Sequence, residues 1–210
     1  MARLTRVQRQ AETRAKLIAA ARIAFAERGY AGASVETIAE AAGFSKGALY
    51  FHFPSKEALA LALVTPLIEA VVDERDALLS KLDGGPEGFY SAYVQFAELT
   101  LRDRVRRMLE VELALQAGRD ATIRAAFLPS LHNRWAGHAK LLECASAALG
   151  GRPVAEFHVI GEAMVAMAYG YAVLHTAGAE ITPLGVLFGT VLRALLRLGE
   201  AKRSRKRKSK

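Results

Sequence analysis

Between Gln10 and Arg28, apolar residues recur at Leu17, Ile18, Ala21 and Phe25, while Arg14 and Arg22 take the opposite side. That spacing predicts an amphipathic helix. Gly29 closes the stretch, as glycine commonly does at a helix C-terminus. Ser34 is a candidate N-cap for a short helix over Val35–Ala42, with Val35, Ile38, Ala39 and Ala42 on one side. Gly43 stops it, Ser45 can cap a third helix over Lys46–His52, and Pro54-Ser55 breaks and recaps the chain. A long helical pattern then runs from Lys56 towards Leu82. After the break at Asp83-Gly84-Gly85-Pro86, helices are predicted at about 87–101, 104–117, 120–149, 154–177 and 183–199. No useful alternating pattern argues for a strand, and no fixed period argues for a repeat. The chain is predicted to be all-α.

Charge is unevenly placed. Residues 1–28 hold seven basic and two acidic side chains, residues 202–210 hold seven basic and none acidic, and the stretch between them carries a net −4. An acidic body with two basic ends suggests a polyanionic partner. One cysteine, Cys144, excludes an internal disulfide framework and argues against a Cys-rich zinc site. The longest uncharged run, Ala163 to Ala179, has 17 residues, short of the roughly 20 that span a bilayer. No early apolar run reads as a signal peptide, since Arg22 cuts the only candidate. These features lead to the expectation of a cytoplasmic protein with no membrane partner.

The segment Ser34–Phe53 has the layout of a helix-turn-helix, two short helices joined at Gly43, where positive φ is cheap. Such a unit offers the N-terminal end of its second helix to the DNA major groove. Here that end reads Ser45-Lys46-Gly47-Ala48, small residues around one cation. Small side chains let the backbone approach DNA, and free N–H groups at a helix N-terminus favour phosphate. Tyr50 and His52 can donate to phosphate, while Leu49 and Phe53 are expected to face the small core. Lys56, opening the next helix, is a second expected phosphate clamp. Ala48 can touch a thymine methyl, and Thr37 a base edge or a phosphate. Each residue also has a plainer reading: Ser34, Ser45 and Ser55 serve as N-caps in any case, and His52 can fill the edge of the core between two phenylalanines. Arg3, Arg6 and Arg9 precede the first helix as an arm that can lie along phosphates.

Gly29-Tyr30, Ser34–Gly43 and above all Ser45-Lys-Gly-Ala-Leu-Tyr-Phe-His-Phe-Pro-Ser-Lys-Glu-Ala-Leu59 resemble the DNA-binding domain of TetR-family transcriptional regulators. The resemblance covers roughly residues 10–63. Phe44 departs from it, where a smaller aliphatic is usual. The resemblance implies a dimeric, all-helical, ligand-responsive repressor, with residues aligned to Ser34, Thr37, Ser45, Lys46, Gly47, Tyr50, His52 and Lys56 meeting DNA. It implies a three-helix helix-turn-helix DNA-binding domain (1–55), a connecting helix (56–82) and a ligand-binding and dimerisation domain (83–201). The low-complexity cationic run 202–210 is expected to be a disordered tail that serves either solubility or DNA binding. The motif version also has some likeness to the γ-butyrolactone-receptor branch, in which a ligand-facing tryptophan lies in a comparable helix.

A single helix-turn-helix reads few bases, so a homodimer on two half-sites of a double-stranded operator is expected. The last two helices suit pairing, with Val186, Leu187, Val191, Leu195 and Leu198 near helical spacing and Gly161, Gly170, Gly185 and Gly189 allowing close approach. The central helices are expected to line an apolar effector pocket with a few polar groups. Candidate lining residues are Tyr93, Phe96, Glu112, Gln116, Trp135, His138, Met164, Met167 and Tyr169, each of which also makes sense as packing. Pro66, inside the connecting helix, deletes the N–H bond to the Ala62 carbonyl and is a candidate hinge.

An enzyme is the rival class. The sequence has no Gly-rich phosphate loop, no G-x-S-x-G elbow and no H-E-x-x-H pair, and its five histidines show no ligand-like pairing. No cofactor or metal is expected. A general DNA-coating protein driven by the basic tail, and activation in place of repression, stay open.

Overall fold

The computed structural model of the chain describes residues 5–79 and 84–198; Arg3 and the basic tail 202–210 lie outside the described residues. In order, the helices are α1 (Arg6–Gly32), α2 (Val35–Ala41), α3 (Lys46–His52), α4 (Lys56–Leu79), α5 (Gly85–Thr100), α6 (Arg104–Ala117), α7 (Ala121–Leu149), α8 (Phe157–Thr176) and α9 (Leu184–Leu195). The only extended pairing among the described residues is two residues long, β1 (Arg152–Pro153) antiparallel to β2 (Leu196–Arg197). The fold is all-α, as the periodicity predicts.

The chain folds as two compact units. The first runs to Ile68 and takes in Arg104–Phe127; the second holds Glu69–Asp103 and everything from Leu128 onward. Helices α4 and α7 therefore each contribute to both units. Both carry a proline close to the division, Pro66 in α4 and Pro129 in α7.

In the first unit, α1 is set by a capping box in which Thr5 and Gln8 satisfy each other's backbone N–H groups. Leu17, Ala21 and Phe25 of α1 are buried with Ile38 of α2, Leu49 of α3 and Leu59 of α4. Gly29 breaks the regular helix where expected, kinking α1 at φ 67° and ψ 176°, and one more turn follows to Gly32. The kink leaves the Tyr30 N–H without a helical acceptor, and the Glu112 carboxylate of α6 takes it at 2.5 Å. Helix α6 also carries a buried ion pair, Arg106 with Glu110, whose side chains are both about 5% exposed.

In the second unit, Phe89, Tyr90 and Tyr93 of α5, Leu142 of α7, Met164 of α8 and Phe188 and Leu192 of α9 form one apolar core. Three of the four glycines expected to favour pairing serve packing inside this unit. A Cβ on Gly161 would stand 2.8 Å from the Trp135 carbonyl oxygen, bringing α8 onto α7. One on Gly185 would stand 2.9 Å from Val94 Cγ1, and one on Gly189 3.1 Å from Val94 Cγ2, bringing α9 onto α5. Only Gly170 faces open space. Helix α9 stops at Leu195, short of the expected residue 199, because the chain turns extended to pair with β1. The Tyr90 hydroxyl holds this end, donating to the Leu196 carbonyl and accepting from the Leu198 N–H. Helix α8, at 20 residues, is long and apolar enough by length and composition to cross a membrane. Its Ile160, Met164, Val165 and Tyr171 nonetheless lie in the unit's interior.

Candidate nucleic-acid interface and effector region

Helices α2 and α3 are each seven residues long, too short to persist without packing. Ile38, Leu49 and Phe53 hold them, each at most 2% exposed. Gly43, at φ 79°, makes the turn between them, and nothing lies within 4 Å of where its Cβ would be. The caps fall where the sequence puts them. Ser34 Oγ accepts from the Thr37 N–H at 3.1 Å, Ser45 Oγ from Ala48 at 3.1 Å and Ser55 Oγ from Ala58 at 3.1 Å.

With Leu49 and Phe53 turned inward, the rest of α3 is outward. Ser45, Lys46 and Gly47 are exposed, Tyr50 is 42% exposed, and Ala48 and His52 are half-buried. Lys46 is paired with Glu36 of α2 across the motif, and its ammonium lies 5.8 Å from the Tyr50 ring centroid. The pairing raises the Lys46 pKa and lowers that of Glu36. The Thr37 hydroxyl is engaged locally, donating to the Ser34 carbonyl at 3.0 Å. His52 packs edge-on to Phe51, centroids 5.3 Å apart. Phe51, 70% exposed, was not singled out from the sequence. Its position between inward Leu49 and Phe53 is the periodic signal that marks it as outward.

Lys56 departs from the outstretched clamp expected of it. Its ammonium lies 4.4 Å from the Tyr30 ring centroid and 3.5 Å from the Ala31 carbonyl oxygen, and desolvation lowers its pKa. Tyr30 in turn donates from its hydroxyl to Glu57 at 2.6 Å, and burial first, then that bond, raises its pKa. A lysine, a tyrosine and two carboxylates thus brace the end of α1.

The candidate effector residues divide between the units. Glu112 and Gln116 belong to the first, where Glu112 is committed to the Tyr30 N–H. Phe96, Trp135, His138, Met164 and Tyr169 belong to the second, with Tyr93 and Met167. There the structure brings several together. Tyr93 OH and His138 Nδ1 are hydrogen-bonded at 2.9 Å, and the Phe96 ring centroid lies 5.6 Å from that of His138. Met164 is fully buried in the same core. Tyr169 accepts from Arg134 and lies under its guanidinium, 5.2 Å from the ring centroid. Trp135 packs instead against His132 with the rings tilted by 51°, centroids 5.0 Å apart. Burial lowers the His138 pKa to about 3, helped by the positive charges of Arg75 and Arg134. Arg75, 2% exposed, is the residue that sequence reading missed. It stands seven residues after buried Ile68, on the inward stripe of α4, and that periodicity was the available signal. An open groove of about 780 Å³ in this unit is lined by Ala139, Lys140, Glu143, Val154, Phe157 and His158 among others, and by none of the candidate effector residues.

Residues 17–63 match the family model of bacterial regulatory proteins, tetR family. The transcriptional regulator CymR of Pseudomonas putida is 36% identical over 122 residues, 58% of this chain and 59% of that protein. The A-factor receptor protein of Streptomyces griseus is 38% identical over 81 residues, 38% of this chain and 29% of that protein. The chain spans between half and three-fifths of the length of the first curated relatives it matches. Among solved structures, GusR of Salmonella enterica superposes with a TM-score of 0.69 at 26% identity, covering 89% of this chain and 96% of that one.

Proposed function

By its DNA-binding domain this chain is a TetR-family transcriptional regulator, and from that premise we propose that it acts as a ligand-responsive repressor. It binds a palindromic double-stranded operator as a homodimer in the cytoplasm and is released by a small, largely apolar effector. The observation that carries this reading is α3. Its cap, small residues, lysine and tyrosine are outward while its two large apolar anchors are inward. Ser34, Thr37, Ser45, Lys46, Gly47, Ala48, Tyr50 and His52 contact DNA, most of them at phosphate, and Lys56 does so after leaving the Tyr30 ring.

Pairing through α8 and α9 is supported by an apolar outer side on these helices. Val173, Leu174 and Val186 are 49%, 51% and 53% exposed. Apolar area of that kind favours association with a second copy. Effector recognition falls to Phe96, His138, Met164 and Tyr169 with Trp135 beside them. The effector acts on DNA affinity through α4, which enters both units and carries Pro66. Reversing a 99:1 preference requires about 10⁴-fold tighter binding to the released state.

The test is selection of duplexes from a random pool, followed by Tyr50→Ala and Lys46→Ala. Both variants are expected to lose site preference, and the winning duplex is expected to be near-palindromic. Equal binding of all duplexes, abolished by deleting residues 202–210, would instead establish a general DNA-coating protein.

A further inference from the structure

Arg75 is a buried cation with a half-exposed counter-ion. Its guanidinium donates from Nε to Asp76 Oδ1 at 2.8 Å, stands 2.8 Å from the same oxygen at Nη2, and donates from Nη1 to the Arg134 carbonyl at 3.3 Å. The Arg75 side chain is 3% exposed and that of Asp76 55%. Neighbouring residues on a helix do not face each other, so Asp76 must reach back over α4 to make this pair. The guanidinium is pressed against α7 at Gly137, where a Cβ would stand 2.2 Å from Nη2. Glycine leaves the room that the cation occupies.

Around this cation lie groups suited to a small organic body. The charges that act on buried Tyr93 are Arg75 and Asp76, and those that act on buried His138 are Arg75 and Arg134. The rings of Tyr93, Phe96 and His138 are in mutual contact, with centroids 5.6 to 6.4 Å apart. Apart from Asp76, the surroundings named here supply positive charge, aromatic faces and neutral polar groups. A planar guanidinium binds a carboxylate through two parallel bonds, which a neutral amide or an amine cannot reproduce.

We propose that Arg75 is the head-group site of the effector, that the effector is a monocarboxylate on an aromatic or short alkyl body, and that Asp76 holds the guanidinium face which that carboxylate takes over. The proposal rests on the effector-responsive reading above and gives the ligand its chemical class. Half-exposed Asp76 is free to swing into water. The incoming carboxylate keeps the buried cation paired, and the body settles on Tyr93, Phe96 and His138.

The experiment is calorimetric titration of the full chain with octanoate and 4-ethylbenzoate against octanamide, 4-ethylbenzamide and octylamine. Both carboxylates are expected to bind at least about tenfold tighter than their amides, with octylamine weakest. Arg75→Met is expected to bring carboxylate and amide within about twofold while keeping the wild-type circular dichroism. Asp76→Asn, which removes the competing carboxylate but keeps its shape, is expected to tighten both carboxylates by about threefold or more. Equal affinity for acid and amide, weaker carboxylate binding by Asp76→Asn, or no binding of any probe overturns the proposal. Release of the selected duplex separates the two readings. Release by the amides or the amine alone leaves the repressor standing and removes the carboxylate site. Tight carboxylate binding by a protein that selects no duplex does the reverse.

Discussion

Lys46 has a weak partner in Glu36. Its pair with Glu36 is solvent-exposed on both sides, the kind of ion pair that screening leaves with little net strength. In the proposed complex a DNA phosphate replaces the carboxylate. Lys46→Ala should reduce the slope of log affinity against log salt by about 0.9 per subunit, measured by titration at several salt concentrations. His138 gives the opposite case, a titratable group buried in the core. Its folded pKa is depressed to about 3 against an ordinary 6.5. Below about pH 6.5 the unfolded chain takes up a proton that the folded chain refuses, so stability falls with pH until about pH 3. Between pH 6.5 and 5 this one group should remove on the order of 1–2 kcal/mol, and urea unfolding of His138→Gln should show a correspondingly flatter pH dependence. Burial of Leu49, Phe53 and Phe96 was legible from spacing. That Lys56 lies on Tyr30 was not, because the two are brought together across 26 positions by the packing of α1 on α4.

Helix α3 was readable almost residue by residue. Its cap and its turn glycine act through neighbours within four positions, and the spacing that turns its two anchors inward is local too, although what buries them is not. Helix ends set by distant partners were not readable. The stop of α9 at Leu195 depends on β1 and on Tyr90, more than forty and a hundred residues away in the chain. The helix glycines show the same contrast, since composition alone makes Gly161 and Gly170 equivalent. Gly161→Ala drives a methyl into the Trp135 carbonyl, 2.8 Å from its Cβ, and should cost about 1–3 kcal/mol in urea unfolding. Gly170→Ala meets nothing within 4 Å and should leave the midpoint unchanged or raise stability by up to about 1 kcal/mol.

For the molecule as a whole, charge placement is a property of sequence and carries its own test. Deleting residues 202–210 removes seven cations. The shortened chain should bind every duplex more weakly and with a shallower salt slope, yet keep its preference for the selected site, as competition between specific and random duplexes would measure. The contiguous division at 55, 82 and 201 follows chain order. Contacts follow space, and they return Arg104–Phe127 to the unit that holds the helix-turn-helix. The sequence by itself determined an all-helical chain, the seven-residue helix α3 with its cap and glycine turn, and the basic ends. Periodicity, capping and charge are written within a few residues of where they act. Only the tertiary structure decided that Glu112 answers the broken turn at Gly29, that Arg75 is sealed beside Tyr93 and His138, and that most helix glycines serve internal packing. Each of these joins residues far apart in the chain, and whether a polar group lies buried or wet depends on what the rest of the fold lays over it.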